Sequence, residues 1–496
     1  WSLAWPTILT MTSFTIMQFV DKLMISRVGS LEVAAQGNAG TWAFAIIATI
    51  LGVVTVVNTY VSQHLGAGSP EKGAKYAWSA GWMAAFFWLI VAVPWAILIP
   101  KVFQHIHSGH SELISLETEY AIFTLAGSLF LLLGRGFSQY FFGMHRPKII
   151  TVSTIVANIV NVAANYILIF GEDGVPNFYL PGSEYFYSSG IQVDLPGIPG
   201  SPALGLKGAA IATVIGMFME MLIPFIIFIS PSFNAKYLTR KAWRPCLDTM
   251  RALFSIGWPG AIQWGNEIIC WALFMTVFVG SYGTEDMAAG WIALGYLHLS
   301  FMPAIGINVA VNSIVGKYIG AGMPNIAVSR ARIGVTMAAV YMSICAAIFI
   351  IFRYEFIEFF APIDSEKFPT LTFEQIKENM RIIELGSTML IMVAIFQTVD
   401  ALGIVYTGAL RGAGDTVWPG VVTAIYSWVL IVGGGWLAVT FFPGLGSIGP
   451  WIAASTYIIL IGLTMAIRFE KGGWRSIDLL GKNASGEPRL SSRDGA

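Results

Sequence analysis

The sequence predicts an all-α polytopic membrane protein, with twelve transmembrane helices in two six-helix lobes related by a parallel pseudo-two-fold repeat. Composition carries the first half of that statement. Of 496 residues, 56% are hydrophobic and only 11% are charged, and the mean hydropathy is +0.69. A soluble domain carries about 25% charged residues, so this chain has too little polar surface to stay in water. The apolar residues also fall in long blocks, such as Ala77–Ile99, Ile149–Phe170, Ile333–Phe352 and Val421–Val439. Each approaches the ~20 residues that cross a bilayer as a helix. The 52 glycines suit close helix–helix approach in lipid.

The second half rests on a repeat. "VNTYVSQHLGAGSP" at Val57–Pro70 returns as "VNSIVGKYIGAGMP" at Val311–Pro324, 254 positions later. That interval far exceeds a solenoid unit of about 20–50 residues and marks a duplicated half. "AWP" at Ala4–Pro6 is likewise answered by "GWP" at Gly257–Pro259, and "LGLKGAAIA" at Leu204–Ala212 by "LGSIGPWIA" at Leu445–Ala453. Six spans per half is an even number, so both halves enter from the same side. Duplication occurs in channels as well, but two lobes of this size favour a transporter with a site between them.

Along the chain the expected spans are 2–26, 33–62, 76–99, 119–142, 149–170, 205–230, 252–280, 287–315, 333–352, 384–409, 419–441 and 449–468. The lobes are then 1–235 and 249–470, joined by a linker at 236–248 and followed by a polar tail at 471–496. The end of that tail, "KNASGEPRLSSRDGA", lacks the apolar content to fold. One set of loops carries Lys72, Lys75, Arg146, Lys236, Arg240, Arg244 and Arg330, while the opposite set carries Glu172, Asp173, Asp194, Glu285 and Glu355. The positive-inside rule makes the basic end cytoplasmic, together with both termini. The expected location is a cell membrane, the inner one in a Gram-negative organism. The chain opens at Trp1, near the start of its first span, so a preceding segment is expected; no cleavable signal peptide is read. Zero net charge without a basic stripe argues against nucleic acid as a partner. Cys246, Cys270 and Cys345 lie far apart and form neither a disulfide framework nor a metal-spaced pair.

Ionisable groups inside a span are expensive and ask for a reason. The acids at depth are Asp21, Glu220, Glu267 and Asp400, against Lys22 and Arg135. Lys22 points about 100° away from Asp21 around a helix, and Arg135 lies close enough to the cytoplasmic end to snorkel. The surplus carboxylates must hold either a proton or a cation. Glu267 has Gln263 and Asn266 near it, and Asp400 has Gln397; a hard cation wants several such oxygens. Asn308 and Asn312 on span 8 extend the set, although amides in spans also serve as interhelical hydrogen bonds. Asp21 has a possible partner in Lys22, and Glu220 is explained equally by protonation and hydrogen bonding. Trp264, Trp271 and Phe396 are available to line a cavity.

These residues sit in motifs with a family likeness. "FVDKLMISRVG" in span 1, "GWPGAIQWGNE" opening span 7 and "FQTVDALGIVYTGALRGAGDT" through span 10 resemble the multidrug and toxic compound extrusion (MATE) transporters, most closely the NorM-like branch. The resemblance covers almost the whole chain. It implies an antiporter exporting cationic or amphipathic organic compounds in exchange for Na⁺ or H⁺, with Asp21, Glu267 and Asp400 at the family's acidic positions. It implies no cofactor beyond the coupling ion. The loops between spans 5 and 6 and between spans 9 and 10 are longer than the branch pattern, and Glu220 is not part of it.

The competing expectations are a flippase for lipid-linked oligosaccharide or polysaccharide precursors and an integral membrane enzyme. The first wants a cationic cavity, for which Arg135 alone stands. For the second, no H-E-x-x-H, G-x-S-x-G or G-x-x-x-x-G-K-[ST] motif is present. "HIHSGH", with His105, His107 and His110, has metal-compatible spacing but reads better as a solvated loop. The two Gly-Ala-Gly turns follow membrane helices and read as helix stops. A monomer is expected.

Overall fold

The computed structural model describes residues 2–106, 110–179, 192–361, 363 and 372–481. The last fifteen residues of the tail, His107 and parts of both long loops lie outside them. Twelve helices are long and apolar enough to cross a membrane: Ala4–Ser26, Leu31–Gly66, Pro70–Ile106, Ser111–Gly143, Pro147–Asp173, Gly205–Ile229, Leu247–Tyr282, Thr284–Gly320, Pro324–Ile351, Phe373–Ala413, Val417–Phe441 and Ile448–Glu470. They are numbered here as spans 1–12. All twelve coincide with the sequence reading, and several run further. The extra turns are polar ones that hydropathy discounts. Span 10 begins at a capping box, with Thr372 and Gln375 satisfying each other's backbone, which makes its entry a helix start rather than a loop. Among the described residues, the addition to the all-α picture is a short antiparallel strand pair, β1 (Val175–Tyr179) on β2 (Gln192–Leu195), between spans 5 and 6.

Each lobe has its own apolar core. In the N-terminal lobe span 4 packs against spans 2, 3 and 6, around the fully buried Tyr140, Phe141 and Phe228. In the C-terminal lobe span 10 packs against spans 8, 9 and 12, around Phe274, Phe396 and Trp451. Phe396 is therefore part of this core. The lobes meet through two equivalent crossings, span 1 on span 8 and span 7 on span 2, and through the ends of spans 2 and 8 themselves.

At the basic end the repeated stretch closes on its own copy. Ser313 Oγ donates to Asn58 Oδ1 at 2.8 Å, and Thr59 Oγ1 lies 3.4 Å from Asn312 Oδ1. These are the same two repeat positions read in both directions, as a two-fold axis requires. A Cβ on Gly66 would lie 1.8 Å from the carbonyl oxygen of Lys317, and one on Gly320 would lie 2.0 Å from that of Gln63. Only glycine lets the two backbones approach so closely. Thr59 and Gln63 also donate to the carbonyls of Arg411 and Gly412 at 2.9 and 3.0 Å. His145 Nε2–H donates to the Ser313 carbonyl at 3.0 Å. Gly68 and Gly322, at φ +75° and +74°, then end both helices in the left-handed conformation that glycine tolerates. The Gly-Ala-Gly turns are helix stops.

Candidate functional site

Glu267 projects from span 7 two turns after Pro259, and Asp400 projects from span 10. Each is half-buried, and the two are close enough to interact electrostatically. Glu267 Oε1 accepts one hydrogen bond, from Gln263 Nε2 a turn earlier, at 3.3 Å. Asp400 accepts none from any described residue. Tyr457 of span 12, 5% exposed, lies within electrostatic range of both carboxylates. The C-terminal lobe thus brings two carboxylates, an amide and a phenol into one group. Among the described residues no lysine or arginine forms an ion pair with either acid.

The remaining amides take other roles. Asn266 Nδ2 donates to Ser427 Oγ at 2.6 Å and its Oδ1 accepts from Trp428 Nε1 at 2.7 Å. It ties span 7 to a π turn in span 11, Ser427–Gly433, and such turns concentrate at functional positions. Gln397 donates to Ser300 Oγ at 2.6 Å, leaving its buried Oε1 without a partner. Asn308 Nδ2 donates to the Ile404 carbonyl at 2.5 Å, joining spans 8 and 10. Asn312 belongs to the interlobe closure. Of the amides named from sequence, Gln263 alone hydrogen-bonds a site carboxylate.

Asp21 stands apart, in the N-terminal lobe. Its Oδ1 accepts from Asn165 Nδ2 at 2.6 Å, and the same nitrogen donates to Asn161 Oδ1 at 3.2 Å. Asn165 immediately precedes a π turn in span 5, Tyr166–Phe170. Lys22 is exposed and makes no ion pair with Asp21, so the partner considered from sequence is replaced by an amide. Glu220 is half-buried on span 6; its carbonyl accepts from Ser153, and its carboxylate meets no described donor. The Arg135 guanidinium lies over the Phe14 ring at 5.4 Å.

Several residues escaped the sequence reading. Asn161 and Asn165 stand four apart in span 5, a spacing that puts both on one face. Glu117 is fully buried and accepts from Asn38 Nδ2 at 2.7 Å; hydropathy begins span 4 two residues beyond it. Tyr457 carried no signal, since tyrosine is common in membrane helices. No group of three His, Cys, Asp or Glu residues with metal-site geometry occurs among the described residues. His107 of the histidine loop lies outside them.

Comparison with known proteins adds to this geometry. The MatE family matches residues 6–167 and 268–437. Among relatives, a probable multidrug resistance protein NorM of Burkholderia pseudomallei is 26% identical over 479 residues, covering 95% of this chain and 91% of that protein. A probable multidrug resistance protein NorM of Pseudomonas putida is 25% identical over 488 residues, covering 97% and 95%. Among solved structures, a MATE protein in complex with MaL6 superposes with a TM-score of 0.80 at 16% identity, covering 96% of each chain. An outward-facing multidrug resistance MATE family transporter of the MOP superfamily gives 0.76 at 17% identity, again covering 96% of each.

Proposed function

The chain belongs to the MatE family, and from that premise we propose that it is a secondary active antiporter, exporting cationic or amphipathic organic compounds in exchange for Na⁺ or H⁺. The observation that carries the ion-coupling reading is the state of Glu267 and Asp400. Neither carboxylate forms an ion pair with a described residue, and Glu267 alone accepts a hydrogen bond, a long one from Gln263. Uncompensated charge is too costly at that depth to persist, so an exchangeable cation is the natural counter-charge. Na⁺ or H⁺ bound there lowers the affinity for an organic cation; the emptied acids attract one. Asp21, held by Asn165, is a second cation-coupling residue in this reading, away from the exchange between ion and drug. No observation favours the flippase.

The basic end is cytoplasmic in this reading and carries both termini, and the membrane is the inner one in a Gram-negative cell. The closure at that end supports an outward-facing state. The lobes are 1–235 and 249–470 with a linker at 236–248, and the monomer carries the activity. The test is efflux of a cationic dye from proteoliposomes with Na⁺ and pH gradients imposed separately. One of the two gradients is expected to drive efflux. If neither does across a broad dye panel, the proposal fails.

A further inference from the structure

We infer that Arg411 is a tethered counter-cation for Glu267, occupying the acid when the coupling ion has left and yielding it when the ion returns. The inference rests on the reading of Glu267 as a cation ligand. Arg411 lies on span 10, three turns toward the basic end from Asp400. Its guanidinium makes no hydrogen bond or ion pair with any described residue, although it carries five donors and a permanent charge. Two other arginines at this end are paired: Arg468 Nε donates to Asp415 Oδ2 at 2.8 Å, and Arg332 grips both oxygens of Glu470 at 3.0 and 2.6 Å.

What surrounds Arg411 gives the free charge a use. It lines a small cavity with Gln263, Thr407 and Thr416 of the C-terminal lobe and with Gly52 and Val56 of the N-terminal lobe. Gln263 is the residue whose amide reaches Glu267, and Arg411 itself is within electrostatic range of that carboxylate. The Arg411 carbonyl meanwhile accepts from Thr59 across the lobe interface. One residue thus has its side chain in a cavity shared with the amide that reaches Glu267 and its backbone in the interlobe closure. A guanidinium does not shed its charge, so it can neutralise an emptied carboxylate without a proton from solution. Competition of this kind weakens ion binding and makes release reversible. Movement of the guanidinium toward Glu267 also pulls on the turn that receives Thr59 and Gln63, linking ion release to opening at the basic end.

The test uses the purified full chain, with its intrinsic tryptophan fluorescence titrated by Na⁺ at fixed pH and by protons without Na⁺. In R411Q the responding cation should half-saturate at about tenfold lower concentration. R411K, which keeps the charge, should stay within about twofold of the parent. An unshifted R411Q, or an R411K displaced as far as R411Q, overturns the inference. E267Q should abolish the response; if it does not, the reading of Glu267 fails, and that result is separate from any at Arg411. Should R411Q fail to fold, E267Q/R411Q is expected to recover a monodisperse protein because both charges are removed together. Failure to recover also overturns the pairing.

Discussion

In the N-terminal lobe Asp21 receives a 2.6 Å bond from Asn165, and Glu117 receives one of 2.7 Å from Asn38. In the C-terminal lobe Glu267 receives a single bond of 3.3 Å and Asp400 receives none. Both lobes descend from one duplication, and both set a polar tie beside a π turn, in spans 5 and 11. The difference lies in what the amide holds. Asn165 holds a carboxylate, whereas Asn266 spends its bonds on Ser427 and Trp428 and leaves the neighbouring acid open. A short bond to an amide orders a carboxylate permanently; an acid left open can exchange its partner. The duplicated halves have therefore diverged: Asp21 and Glu117 are fastened in one, Glu267 and Asp400 are available in the other.

The comparison breaks most decisively at the open acids. E267Q and D400N should each reduce gradient-driven dye efflux to background while leaving the protein folded and monodisperse. Undiminished efflux in both variants would remove the proposed ion site. The closure between the lobes comes next. Gly320→Val should weaken the closed state by about 1–3 kcal/mol through overpacking. Spin labels at the equivalent positions Glu71 and Asn325 should report a wider separation, and an unchanged distance would mean that the glycine contact is not limiting. Gly66→Val should do the same if the two-fold relation governs the closure.

The fastened side sharpens the contrast. Asn165→Ala strips Asp21 of its short bond and should cost about 1–3 kcal/mol of stability, read by thermal unfolding. D21N should retain part of the efflux. If it silences transport as fully as E267Q, the lobes do not differ in the way described. The smallest effect belongs to His145, between spans 4 and 5. Burial, followed by the charge of Lys317, holds its imidazole below the usual histidine range, against the Ser313 bond that raises it. The neutral form is thus favoured in the closed protein. Its contribution is full above the unfolded value of about 6.5 and is lost as pH falls through the lowered one. Opening at the basic end should become easier on acidification by a fraction of a kilocalorie, and H145Q should flatten that dependence. Label distances measured from pH 7.5 to 5 would show it.

The spans, the repeat and the two acids Glu267 and Asp400 were legible because depth and residue type are written in linear order. The partners of the amides were not. Asn266 is adjacent to Glu267 in sequence but about 100° away around the helix, and no pattern along the chain says that Ser427 waits on that side. Gln397 stands three residues from Asp400 and reaches Ser300 for the same reason. The repeat announced a duplication; that its copies face each other is a property of lobe packing, which the order of residues does not express. Glu117 was lost at a boundary, since a hydropathy window discounts the turn in which a buried acid sits.

The closure of Gly66 and Gly320 against bare backbone has an electrical consequence. In the outward-facing reading such a plug blocks ion flow at the basic end, and the acids beyond it stay near the potential of the outer bath. The voltage across the bilayer, worth about 2.3 kcal/mol per charge at 100 mV, then falls mainly over the plug. Ion arrival at Glu267 and Asp400 should carry little current, and most of the displaced charge should accompany the rocking of the lobes.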